Sequence, residues 1–168
     1  MHQYDYIVVG AGSAGSALAN RLSESGKFTV CLLEAGGSDK KFWVQMPLGY
    51  GKVFHDPSVN WRYMTEPEPN LDNQSVYWPR GKVLGGSSSI NAMVWVRGHK
   101  RDYEEWNSVA PGWGWDNIKK IFNRIENWDG TSNISRGTNG PQSVHDVSSD
   151  VHPLTISYLK AASQVGIK

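Results

Sequence analysis

The sequence holds 168 residues, long enough for one domain with its own core. A net charge of +1, with no block of like charge beyond local pairs such as Lys100-Arg101 and Glu104-Glu105, leaves no electrostatic footprint for nucleic acid, and no apolar run reaches transmembrane length. The N-terminus meets polar Asp5 almost at once, which leaves no room for a secretory signal, and the single cysteine, Cys31, sits in an apolar run as a small buried residue, so a soluble cytoplasmic protein is expected.

Tyr6 to Val9 is a short apolar run rich in β-branched residues, which predicts a strand buried on both faces. Gly10, Gly12 and Gly15 follow in the spacing G-x-G-x-x-G. The first glycine permits a tight turn, the second lets a diphosphate approach the backbone, and the third lets helix pack closely on strand. Ala14, Leu18 and Leu22 mark one face of a helix from Ala14 to Ser25, and Gly26 stands where a left-handed cap would end it. A second apolar run, Thr29 to Leu33, finishes on Glu34, about twenty residues beyond the last glycine. A carboxylate there can accept hydrogen bonds from both hydroxyls of an adenosine ribose and would repel a 2′-phosphate. The diphosphate is expected at the helix N-terminus, where unpaired N–H groups and the helix dipole favour negative charge.

Residues 38–80 show no period, and Pro47, Pro57, Pro67, Pro69 and Pro79 exclude a long helix. Such a segment usually has a function, commonly that of covering a ligand. The eight tryptophans, scattered through irregular stretches, read as anchors for long loops. Gly85-Gly86 and the three serines after them form a turn with bare N–H groups and hydroxyls, a second cradle for an anion or cofactor, and the apolar residues beyond suggest a short helix or strand. Arg101 to Val109 predicts an amphipathic helix with Tyr103 and Trp106 on one side. Asp116 is the expected N-cap of a helix to about Trp128, carried by Ile118, Ile121, Phe122 and Ile125. Residues 129–150 read as a surface loop, and Leu154 to Val165 as the start of another helix.

Taken together, the Gly10–Gly15 motif with Glu34, the phrase Thr65-Glu-Pro-Glu-Pro-Asn70 and the stretch Pro79-Arg-Gly-Lys-Val-Leu-Gly-Gly-Ser-Ser-Ser-Ile-Asn-Ala-Met93 resemble the glucose–methanol–choline (GMC) oxidoreductases, above all the choline-dehydrogenase-like alcohol dehydrogenases and oxidases. The resemblance implies an α/β, Rossmann-like FAD-binding domain, present as its N-terminal portion with an incomplete sheet. It divides the chain into an FAD-binding portion at 1–128, a loop at 129–150 and a further helix at 151–168. Within the first part lie a βαβ unit at 1–37, a cofactor-covering segment at 38–80 and the signature loop at 81–98.

The resemblance also implies site residues. Gly10, Gly12, Ser13, Ala14 and Gly15 would face the FAD diphosphate, and Glu34 the adenosine ribose with Ala35 beside it. Val83, Gly85, Gly86 and Ser87 would line the diphosphate and ribityl chain. Asn91, Ala92, Met93 and Val94 would run past the flavin ring, and Trp61 would approach from the long irregular segment. Some members carry a flavin-linked histidine where this chain has Ile90, so FAD is expected to be non-covalent. The family's catalytic histidine belongs to a C-terminal motif that none of His2, His55, His99, His145 and His152 occupies, so no catalytic residue is assigned, and no metal ligand.

The expected protein is thus the FAD-binding part of a flavoenzyme that oxidises a small-molecule alcohol by hydride transfer, needing a C-terminal part or a partner chain for turnover. Two rivals stay open: a non-catalytic FAD-binding fragment or subunit, and a nicotinamide-dependent dehydrogenase, which the first βαβ unit permits and the signature loop opposes.

Overall fold

A computed structural model describes residues 2–131 and 135–167, and the chain separates into two compact units, Met1–Val94 and Trp95–Lys168. The first unit opens with strand β1 (Tyr6–Val9), helix α1 (Ser13–Ser23) and strand β2 (Val30–Leu33). The strands pair in parallel, Tyr6 opposite Val30 and Val9 opposite Leu33, with α1 as the crossover between them. Gly26, at φ +67°, donates its N–H to the Ser23 carbonyl and ends the helical region as its position predicts. This is an α/β, Rossmann-like unit with an open sheet.

Burial on both faces of β1 does not hold. Val8 is buried, but Ile7 is 64% and Val9 82% exposed. The sheet has two strands with α1 on one side, so the β-branched side chains that a larger parallel sheet would cover stay open.

The proline-interrupted segment folds into short pieces. These are α2 (Phe42–Gln45), a 3-10 turn at Pro47–Gly49, α3 (Tyr50–Val53), and the antiparallel pair β3 (Tyr63–Met64) with β4 (Tyr77–Trp78). Val53, Val59, Val83 and Ile90 form the core of this unit, with Val44 packed against them. Of the eight tryptophans, Trp43, Trp61, Trp78, Trp106 and Trp113 remain about half exposed. The serine run itself forms the 3-10 turn Gly86–Ser89, and no helix or strand follows before Lys100. Left-handed backbone at Gly85, Gly86 and Met93 keeps that stretch irregular.

In the second unit, α4 (Lys100–Val109) is closed by a capping box, in which His99 Nδ1 accepts from the Arg101 N–H and Asp102 accepts from the His99 N–H. Helix α5 (Trp115–Ile125) starts after Gly114, so Asp116 lies within the first turn rather than at the cap, where it still faces the positive helix end. Tyr103 of α4 packs against Trp115 and Phe122 of α5 at ring distances of 5.6 and 6.2 Å.

The helix stops short of Trp128. At Glu126 the backbone turns extended and forms β5 (Glu126–Trp128), which pairs in parallel with β6 (Gln142–Val144). The predicted surface loop therefore contains a strand with a buried Val144; its residues 132–134 lie outside the described residues. Helix α6 (Pro153–Gln164) ends the unit, with Pro153 in its first turn; Lys168 also lies outside the described residues. No helix among the described residues is long and apolar enough to cross a membrane.

Burial of Glu126 explains the switch from helix to strand. Its side chain is 0% exposed and accepts from Arg97 Nε at 2.8 Å, Trp95 Nε1 at 2.6 Å and Arg136 Nη1 at 3.0 Å. Burial alone would raise its pKa, but the hydrogen bonds from Arg97 and Trp95, the Arg97 charge and the Gly137 N–H hold it down to about 2. The carboxylate is ionised, and two arginines and an indole N–H fix where the chain turns.

Candidate cofactor site

The glycine loop between β1 and α1 forms one wall of a cavity of about 780 Å³ in the first unit. Gly10 has φ +95°, a conformation that favours glycine, and the turn it makes leads into α1. At Gly15 a Cβ would stand 1.9 Å from the Gly10 carbonyl oxygen, so only hydrogen lets the helix seat this close to the turn. Gly12 is the N-cap and offers no side chain to the helix end. The N–H groups of Ala14 and Gly15 find no hydrogen-bond partner among the described residues, and both residues line the cavity with Ser13. They give it two donors backed by the helix dipole.

The signature loop forms the opposite wall. Gly85 donates its N–H to the Ala11 carbonyl at 2.8 Å, and Leu84 donates to the Gly37 carbonyl at 2.9 Å. Gly86 comes so near Gly12 that a Cβ would meet the Gly12 Cα at 2.8 Å. The Ser13 and Ser88 hydroxyls share a hydrogen bond across 75 residues of sequence. Two glycine-rich loops, far apart in the chain, are thus stitched backbone to backbone around one space.

Glu34, at the end of β2, lines the same cavity. One carboxylate oxygen accepts from the Ala11 N–H at 2.7 Å and the other from the Gly36 N–H at 2.8 Å. A carboxylate has about four acceptor positions, so each oxygen retains acceptor capacity beyond these bonds. Glu34 therefore braces the glycine loop as well as presenting charge, a bond pattern its position in the sequence does not reveal.

Of the predicted site residues, Gly10, Gly12, Ser13, Ala14, Gly15, Glu34, Ala35, Trp61, Gly86 and Ser87 come together around this cavity. Gly85 supports the wall through its backbone. The Val83 side chain is turned into the apolar core, 0% exposed. Asn91 and Met93 line a second, smaller cavity of about 260 Å³ with Ser88, Trp43 and Tyr50, while Ala92 and Val94 line neither. Val9, Leu33, Arg80 and Gly81 complete the first cavity without having been singled out. Arg80 was readable as a cation directly ahead of the signature loop. None of the five histidines lines this cavity.

Residues 4–168 match the sequence profile of the family described as GMC oxidoreductase. An oxygen-dependent choline dehydrogenase from Photobacterium profundum is 45% identical over 165 residues, covering 97% of this chain and 29% of that protein. The crystal structure of a pyridoxine 4-oxidase from Mesorbium loti superposes with a TM-score of 0.89 at 33% identity, covering 98% of this chain and 32% of that one. An FAD-dependent oxidoreductase from Chaetomium thermophilum superposes with a TM-score of 0.80 at 29% identity, covering 98% of this chain and 30% of that one. The chain thus spans about three-tenths of the length of each of these relatives.

Proposed function

The chain belongs to the GMC oxidoreductase family, and on that premise we propose that it holds FAD non-covalently within an enzyme that oxidises alcohols. The observation that carries this reading is the joining of the two glycine-rich loops around one cavity. A dinucleotide fits this donor set. The unpaired N–H groups of Ala14 and Gly15 suit a diphosphate, glycine backbone at Gly12 and Gly86 lets it approach, and Glu34 suits a ribose diol without a 2′-phosphate.

In this reading Gly10, Gly12, Ser13, Ala14, Gly15, Gly85, Gly86 and Ser87 hold the diphosphate side, and Glu34 with Ala35 the ribose. Trp61 closes the cavity from the irregular segment, the Val83 backbone backs it, and Asn91, Ala92, Met93 and Val94 belong to the flavin end. Ile90 is buried and has no nucleophilic atom, which supports dissociable binding. Bound FAD supplies the acceptor for a hydride from the alcohol carbon. In this reading this chain's residues bind and orient the cofactor, and none of them is assigned as the base for the alcohol proton. Similarity to a choline dehydrogenase and a pyridoxine oxidase, both named for substrates with alcohol groups, supports the substrate class.

Titrating the chain with FAD while following flavin fluorescence, then challenging with excess NAD, tests the reading. The expected result is quenching that NAD does not reverse. Displacement by NAD at comparable concentration would overturn it in favour of a nicotinamide-dependent dehydrogenase.

A further inference from the structure

We propose that Arg80 is a cofactor-binding residue whose guanidinium supplies the positive charge that meets the diphosphate; this rests on the dinucleotide reading of the cavity. Arg80 is the one cationic side chain among the residues that line the cavity. Its guanidinium makes no hydrogen bond or ion pair among the described residues, whereas Lys82 beside it is engaged over the Trp61 ring at 4.6 Å.

The backbone of Arg80 is held at both polar groups. Its N–H donates to Asn60 Oδ1 at 2.9 Å, and its carbonyl accepts from the Trp61 N–H at 2.9 Å. Asn60 is itself 2% exposed and donates through Nδ2 to the Phe54 carbonyl at 2.8 Å. A buried amide thus fixes the base of a side chain whose charged end is free, an arrangement suited to a ligand rather than to internal structure.

Charge balance makes the same demand. Glu34 already places one negative charge at the cavity, and a diphosphate brings about two more, against roughly half a positive charge from the helix end. The planar guanidinium fork matches phosphate oxygens better than an ammonium does. Because Arg80 is exposed, its contribution is screened by salt.

The test uses the whole chain, titrated with FAD and separately with ADP. Arg80→Met should weaken both about tenfold at low salt, the lower end for a charged hydrogen bond. The loss should shrink at ~1 M salt, where the screening length falls to about 3 Å. Arg80→Lys should restore part of the affinity at low salt, and the urea midpoint should stay unchanged. Wild-type affinity in Arg80→Met overturns the assignment of Arg80 alone. A loss of equal size at both salt concentrations overturns it too, since that marks a structural role. A wild-type chain that binds neither FAD nor ADP would instead overturn the dinucleotide reading on which the assignment stands.

Discussion

Replacing Glu34 separates two roles that the structure assigns to one carboxylate. Its oxygens accept from the Ala11 and Gly36 N–H groups at 2.7 and 2.8 Å, so it ties the glycine loop to the end of β2 before any ligand arrives. Hydrogen bonds to a charged group are worth about 1.5–3 kcal/mol each, and Glu34 is only partly buried, so the lower end applies. Glu34→Ala should therefore cost the ligand-free chain about 3 kcal/mol. Glu34→Gln is not conservative, because one amide –NH2 would face a backbone N–H donor; it should cost about 2 kcal/mol. Urea unfolding without FAD reads the effect directly, as a midpoint lowered by about 1–2 M. If Glu34 served only the ribose, both variants would lose FAD affinity and keep the wild-type midpoint. An unchanged midpoint in Glu34→Gln would refute the bracing role.

Three further perturbations probe other parts of the account. Gly15→Ala places a Cβ 1.9 Å from the Gly10 carbonyl oxygen, so α1 must move off the turn; a loss of about 3 kcal/mol is expected, and an unaltered thermal midpoint would show that helix and turn are not packed this tightly. Asn60→Ala removes the acceptor of the Arg62 and Arg80 N–H groups and the donor to the Phe54 carbonyl, and should cost about 2–3 kcal/mol in urea unfolding while weakening FAD. The folded pKa of Glu126 is depressed from 4.5 to about 2, so its stabilisation is full above 4.5 and is lost as pH falls from there toward 2. Glu126→Gln, which leaves two arginines without a countercharge, should lose about 3–5 kcal/mol at neutral pH and flatten the fall in thermal midpoint between these two values.

The parts of the fold legible in the sequence are those set by local requirements. Gly10, Gly15 and Gly26 each answer a need for positive φ or close approach within a few residues, and β1, α1 and β2 fall close to where the pattern puts them. The helix at Lys100–Val109 was legible for the same reason, through its apolar side. What escaped depends on residues distant in sequence. Helical spacing continues through Trp128, but a buried Glu126 bound to Arg97 and Trp95 ends the helix earlier, and no local pattern encodes that ion pair. The Gly85–Ala11 and Ser13–Ser88 bonds join segments that are remote in the chain, so the signature loop could be read as a cradle but not as the far wall of this one. Burial of β1 was overestimated because β-branched composition reports what a full parallel sheet needs, while Val9 has one neighbouring strand and lies open.

The most direct test of the central claim is the absorbance spectrum of the purified 168-residue chain after incubation with FAD and desalting, taken before and after acid precipitation. Retention of the flavin bands, with yellow cofactor released into the acid supernatant, is the result this account predicts. A colourless chain that also fails to quench flavin fluorescence would contradict it.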